Sequence, residues 1–449
     1  MLARFPRRPS LTLIGVVALV IAMANPAAAP PGDLDTTFDG DGKVTTDFAG
    51  NPDNAFAVAL QGDGKIVAAG ETLVSGTTDF ALARYNTDGS LDTTFGGDGK
   101  VTTDFAAGGD SASAVAIQGD GKIVAAGFAI VSGNNDFALA RYNTDGSLDT
   151  TFGGDLPFPV PGDGKVTTDF AGSQDLAHGV AIRADGKIVA AGQARVSGSD
   201  DFALARYNTD GSLDTTFGGD GKVTTDFAGG SDLAHGVAIQ ADGKIVAAGE
   251  ALVSGTLDFA LARYNTDGSL DTTFDGDGKV TTDFAGDFDV ALAVAIQGDG
   301  KIVAAGGAVV AGFDFALARY NTDGSLDPAF GGDGKVTTDF GGFDDAFAVA
   351  IQGDGKIVAA GSATVSATAD FALARYKTDG SLDTIFSGDG KVTTDFAGSS
   401  DQASAVAIQA NGRIVAAGGT FISGNFDFAL ARYTCIRRTS RPTSIPVCP

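Results

Sequence analysis

The chain is poor in the side chains that most catalytic and metal chemistry needs. Among 449 residues there are two cysteines, both in the last fifteen positions, and two histidines, His178 and His235. A three-histidine metal site cannot be assembled within one chain, and the body of the protein holds no thiol. No Gly-x-Ser-x-Gly nucleophile elbow occurs. Positive charge is scarce: 30 Lys and Arg stand against 56 Asp and Glu, a net charge of −26. Such a balance repels phosphate backbones and anionic lipid, so no nucleic-acid partner is expected, and it favours cations or basic partners. Helical periodicity is absent throughout.

Only one long apolar run exists, Leu11–Ala22, preceded by Arg4, Arg7 and Arg8. Twelve apolar residues are too few for a comfortable transmembrane helix but suit a secretory signal. Residues 1–24 are read as that signal, with cleavage after Ala24, and 25–33 as a linker. No membrane span is expected in the mature chain, and its destination would be the medium, the periplasm or the cell surface. The tail, 434–449, is basic and rich in Pro and Ser, unlike everything before it. In an oxidising compartment Cys435 and Cys448 are candidates for a disulfide, whose short loop would contribute roughly 3 kcal/mol at most.

What the chain has is a repeat. DGKIVAAG begins at Asp63, Asp120, Asp185, Asp242, Asp299 and Asp354, and a seventh copy, NGRIVAAG, at Asn411. One unit reads as four strands: AFAVALQ (Ala55–Gln61), KIVAAG (Lys65–Gly70), FALARY (Phe80–Tyr85) and KVTTDF (Lys100–Phe105). Asp-Gly between the first two predicts a hairpin in which both turn residues take positive φ. ETLVSGTTD reads as a variable loop, and Asn86–Ser90 as a further turn. FALARY alternates, with Phe80, Leu82 and Arg84 on one face and Ala81, Ala83 and Tyr85 on the other. All seven tyrosines fall at one repeat position, as blade-packing residues should. Four strands in about 57 residues, seven times over, predict an all-β, seven-bladed β-propeller of four-stranded antiparallel blades over 34–433; a parallel β-solenoid fits less well, because its coils are shorter and lack such hairpins. With the apolar strand innermost, Lys43–Phe48 is left over at the start. It should close the ring by pairing with Phe428–Tyr433 as the outer strand of the last blade.

The run DGKIVAAG…DFALARYNTDGSLDTTFGGDGKV resembles the delta-60 repeat, a bacterial β-propeller repeat of unknown function, over Leu34–Tyr433. It is more distantly similar to NHL-type propellers. The resemblance implies fold and export, and brings no catalytic residues.

Near-identical copies make their differences informative. The loops after KVTTDF and after KIVAAG vary, and alternating strand direction puts both on one face. The position just before the inner strand reads Phe56, Ser113, His178, His235, Leu292, Phe347 and Ser404 around the ring. These seven are the candidate ligand-binding residues at the mouth of the central channel, with the two histidines on adjacent blades. The insertion LPFPVPGD (Leu156–Asp163) should lie on the opposite face, as a docking loop or an untrimmed insertion. NTDGSLD alternates oxygen donors as calcium loops do. However, Arg84 falls where the first ligand belongs and Lys377 replaces Asn in the sixth copy, so turn chemistry is expected there and calcium is the alternative. Asp79 and Asp104, present in every unit, should bond turns or pair with Arg84-type residues. No metal ligands, other cofactor or catalytic residues are assigned. The expectation is a monomeric, exported binding or scaffold module for a protein or carbohydrate ligand. The alternatives are a lactonase-, lyase- or hydrolase-like enzyme at the same mouth, or a structural surface or spacer protein.

Overall fold

The computed structural model describes residues 30–105, 108–153, 162–310, 312–365 and 368–435. They form twenty-eight strands, β1 to β28 in chain order, in seven four-stranded antiparallel sheets. β1 is Lys43–Thr46. The first blade then runs β2 (Asp53–Leu60), β3 (Ile66–Val74), β4 (Thr77–Tyr85) and β5 (Lys100–Thr103), in that order from the axis outwards. The seventh takes β26 (Asp401–Ile408), β27 (Ile414–Ile422) and β28 (Asn425–Tyr433) from the end of the chain and β1 from its beginning, with Lys43 opposite Ala431 and Thr46 opposite Phe428. The expected ring closure is therefore present. The join extends further: Leu34 bridges Tyr433, Asp35 N–H donates to the Arg432 carbonyl at 2.8 Å, and Arg432 Nε reaches Asp35 Oδ2 at 2.9 Å.

The alternation read in FALARY explains how blades stack. Val67, Ala69, Phe80, Leu82 and Phe95 of the first blade pack on Ile123, Ala125, Ala138, Ala140 and Tyr142 of the second. A large-residue face thus meets a small-residue face at each junction, which fills the wedge between sheets. Each fully buried Phe, Leu or Val contributes roughly 1.5–3 kcal/mol. The tyrosines do pack blades, and each also donates its hydroxyl to a threonine on the outer strand of the blade before: Tyr85 to Thr46, Tyr142 to Thr103 and Tyr207 to Thr168, all at 2.8 Å.

Three local expectations are corrected. First, ETLVSGTTD is not a loop. β3 and β4 run through it and meet at Ser75-Gly76, where φ is +54° and +100°. Those are the two left-handed positions of a tight hairpin turn. Second, Asp63 does not take positive φ; only Gly64 does, at +87°. Gly64 N–H returns to the Gln61 carbonyl at 2.9 Å, and the Asp63 carboxylate accepts the Lys65 N–H at 3.1 Å. Asn411 replaces aspartate because its side-chain oxygen accepts the Arg413 N–H in the same way, at 3.1 Å. Third, the carboxylate that pairs with Arg84 is Asp92, in the turn that follows its strand.

Residues 1–24, read above as a signal, and residues 156–161 of the insertion lie outside the described residues, as does the tail from 436. Cys435 is held in a disulfide, while Cys448 lies in that tail. Among the described residues no helix is long and apolar enough to cross a membrane.

Candidate functional site

The seven inner strands surround a cavity of about 600 Å³ on the ring axis. Phe56, Ser113, His178, His235, Leu292, Phe347 and Ser404 all line it. They do not precede the inner strands, as expected from the repeat, but lie within them, each at a β-bulge. In the first blade Ala55 pairs with Gly70 and Ala57 with Ala69, so Phe56 has no partner in the ladder. The same skip occurs at His178 between Ala177 and Gly179, and at His235 between Ala234 and Gly236. A bulge re-aims a side chain, and here it turns one residue per blade into the channel.

The glycine of KIVAAG makes the bulge possible. A Cβ on Gly70 would sit 1.8 Å from the Asn54 carbonyl oxygen, and one on Gly192 1.8 Å from that of Leu176. A glycine held inside a strand in all seven copies is the signal that marks a bulge, and reasoning from strand periodicity alone passes over it.

Sequence reasoning also missed a second layer of residues. Asn54, Glu71, Ser111, Phe128 and Gln402 contribute to the cavity wall. Glu71 faces Asn54 across the ladder, and burial raises its carboxyl above the usual range against a hydrogen bond from Ser111. Glu250 occupies the equivalent position opposite Leu233. Asp345 lies at the position of Asn54 two blades further on; burial, with the Glu250 charge adding and the Ala346 N–H opposing, pushes its carboxyl up to about 7. Its Oδ1 is buried without a hydrogen-bond partner.

The two histidines meet as expected for adjacent blades, with ring centroids 5.3 Å apart and planes tilted by 47°. Burial, then the neighbouring His235, lowers His178 to about 4, although Gln193 stands 3.3 Å from its Nε2. His178 is therefore neutral at ordinary pH. His235 Nε2 lies 3.8 Å from Glu250 Oε2 and has no hydrogen-bond partner. The mouth thus combines buried acids, uncharged imidazole and aromatic rings, an environment suited to hydrogen-bond donors and cations.

Around the mouth the variable face carries exposed apolar side chains. Phe288 is 50% and Phe343 59% exposed, and Phe343 stacks on Phe313 at 4.6 Å with the rings 4° from parallel.

The calcium-like run is occupied by its own turn. Asp88 accepts both the N–H and the hydroxyl of Ser90, at 3.0 and 2.7 Å, and Asp92 binds Thr94, Arg84 and Lys65.

The solved structures with a similar fold include the polysaccharide lyase Uly1, at a TM-score of 0.49 and 12% identity over 88% of this chain and 92% of that one. They also include a protein of unknown function from Dyadobacter fermentans (0.46, 13%, 88% and 98%) and Sqt1 from Chaetomium thermophilum (0.46, 13%, 90% and 88%). At these identities the likeness is one of fold. No curated protein matches the chain. The model of a β-propeller domain of unknown function, DUF5122, matches seven times, at residues 61–95, 118–152, 183–217, 240–274, 297–330, 352–386 and 409–434. Those matches repeat with the blades and together span more than half of the sequence: the chain belongs to the DUF5122 β-propeller family, whose function is unknown.

Proposed function

We propose that the protein is an exported binding module whose ligand is a protein segment with a basic side chain, seated in the channel mouth and flanked by the apolar rim. The observation that carries this reading is where the seven units differ. The frame repeats almost unchanged, while the bulged position alternates among aromatic, imidazole, aliphatic and hydroxyl side chains. Glu71, Glu250 and Asp345 supply negative charge at that level, and Phe288 and Phe343 supply apolar contact on the same face. A lysine or arginine entering the mouth would meet carboxylates with unused acceptor capacity. Repeat identity also fits a spacer with no ligand, but a spacer has no use for two half-buried glutamates and a buried aspartate at one end of its channel.

The test is binding to a peptide library sorted by charge, with a neutral glycan library beside it. Wild-type protein is compared with a variant carrying Phe56→Ala, His178→Ala, His235→Ala and Phe347→Ala. Selective capture of basic peptides, lost in the variant, supports the reading. Equal capture by both proteins, or capture of glycans alone, overturns it.

A second reading is catalytic. It rests on the carboxylate–imidazole pair Glu250–His235, 3.8 Å apart, whose histidine lines the cavity beside a neutral His178. An imidazole so placed would serve as a general base. Turnover of lactone or uronate substrates that disappears in His235→Ala would favour this reading over binding alone.

A further inference from the structure

At each junction between blades, on the face that carries the variable loops, three aspartates converge away from the channel. Asp136 of β8 (Asn134–Tyr142), Asp169 just after β9 (Lys165–Thr168) and Asp175 at the start of β10 (Asp175–Ile182) form one such triad. Asp79, Asp104 and Asp110 form another, as do Asp201, Asp226 and Asp232, and Asp258, Asp283 and Asp289. Asp427, Asp47 and Asp53 repeat the arrangement at the ring closure. In the remaining two junctions Asp314 feels the charges of Asp339 and Asp344, and Asp370 those of Asp395 and Asp401. Within a triad, one oxygen from each carboxylate lies within 4.8 Å of the others.

In six of the seven triads the hydrogen bonding leaves a buried carboxylate oxygen unpartnered. In the first, Asp169 Oδ1 accepts the Gly172 N–H at 2.5 Å and Asp175 Oδ2 accepts the Phe170 N–H at 2.7 Å. Asp175 is fully buried, yet its Oδ1 has no partner. The same oxygen is unpartnered in Asp53, Asp110, Asp232, Asp289 and Asp344, which are also at most 1% exposed. Lys222 Nζ donates to the backbone carbonyl of Asp169 at 2.9 Å and not to its carboxylate. Three like charges, two of them buried, are costly without a counter-ion. Burial first, with the charges of neighbouring aspartates adding and backbone hydrogen bonds opposing, pushes the carboxyls of Asp110, Asp175, Asp232 and Asp289 up to about 6.

We propose that these triads are calcium sites, one at each blade junction. Calcium takes carboxylate oxygens at about 2.3–2.6 Å, so ligands on opposite sides of one ion stand roughly 4.8 Å apart. Oxygens no more than 4.8 Å apart are close enough to share one ion. Each ion would bind one blade through the strand-borne Asp136-type residue and the Asp169-type residue, and the next blade through the Asp175-type residue. The ring closure would be clipped in the same way, by Asp427 and Asp47 to Asp53. The seventh copy carries an internal contrast: Thr420 donates its hydroxyl to Asp401 Oδ1 at 2.5 Å, so that junction has less need of an ion and should bind it more weakly.

The experiment uses the full chain, stripped with chelator at pH 7.5. Calcium is added to about 1 mM, in the range that extracellular modules take, and bound metal is counted after gel filtration while the melting temperature is followed. Magnesium, and sodium chloride at matched ionic strength, are run in parallel. The proposal expects six to seven ions per chain and a melting temperature several degrees higher in calcium than in either control. It also expects Asp175→Asn and Asp169→Asn each to lower the count by about one. Asparagine keeps the acceptors for the Phe170 and Gly172 N–H groups, and the exposed Asp169-type position serves where the buried variant fails to fold. Three results would each overturn the proposal: no bound calcium, a shift that sodium chloride reproduces, or a count unchanged in both variants.

Discussion

Arg84 Nε and the Asp92 carboxylate meet at 2.8 Å, with the two side chains only 4% and 5% exposed. Arg84 also lies over the Phe95 ring at 4.7 Å and donates from Nη1 to the Thr144 carbonyl in the next blade at 2.5 Å. One side chain thus ties its own strand, its own turn and the neighbouring blade together. The arrangement recurs, and at the ring closure Arg432 makes it with Asp35 and Thr87. Removing one partner leaves the other charge buried and unpaired. Arg206→Ala or Asp214→Ala, in a central blade, is expected to cost about 3–5 kcal/mol. The double variant should cost clearly less than the sum, and urea unfolding of all four proteins measures the difference.

Acid should attack the same network. Burial alone would raise the Asp92 carboxyl, but the Thr94 hydroxyl, the Lys65 ammonium, the Thr94 N–H and the Arg84 guanidinium outweigh it and hold it well below 3.8. Asp149, Asp214 and Asp271 are held low in the same way. A carboxyl with a depressed folded value contributes its full stability above the unfolded value and loses it as pH falls through the folded one. Stability from these groups should therefore hold down to about pH 4 and fall steeply below it. Asp214→Asn should flatten that limb in urea melts taken between pH 5 and 2, while lowering stability at neutral pH.

Glycine replacements in one unit should rank by geometry. Gly62 has ordinary φ and open space around it, and three other copies carry alanine there. Gly64 stands at φ +87°, and a Cβ added to it would lie 3.1 Å from Thr87 Cγ2. Gly70 would drive its Cβ into the Asn54 carbonyl. Gly62→Ala is expected to be neutral. Gly64→Ala should cost about 1–2 kcal/mol, and Gly70→Ala more than either, since backbone must move. Thermal melts of the three variants give the order directly.

Ring closure predicts a consequence of truncation. A chain lacking residues 30–48 loses β1 and bares the hydrogen-bonding edge of β28. An exposed edge strand pairs with whatever strand it meets. The shortened protein is expected to melt lower and to self-associate, and a permuted chain with residues 30–48 joined after 435 should be monomeric again. Light scattering after gel filtration distinguishes the two.

Architecture was legible because it depends on what repeats. Alternation in FALARY fixed which face each residue takes, and the unpaired Lys43–Phe48 strand fixed how the ring shuts. The bulge at Phe56 was not legible as such, since alternation alone places Phe56 on a face of the blade. Its signature was Gly70 in the facing strand, a residue that looks like any other small core residue until the Asn54 carbonyl is placed against it. Asp79 and Asp104 read as turn residues from their places at strand ends. That holds for the Asp104-type position, where Asp169 caps the turn at Gly172. The convergence of Asp175 on the same point joins two blades, and no local spacing records a contact between neighbouring sheets. Glu71, Glu250 and Asp345 escaped for a related reason: the repeat does not hold an acid at their positions, so nothing in it pointed to them.

The bulge at the Phe56 position separates two properties that usually constrain each other. Ladder hydrogen bonds pass over this residue, and its side chain enters open space and not the packing between blades. What it presents can change while register, closure and blade stacking stay as they are. The propeller therefore offers seven sockets around one opening that can be rewritten independently. A library varying only Phe56, Ser113, His178, His235, Leu292, Phe347 and Ser404 would turn this ring into a general framework for selecting new binding specificities.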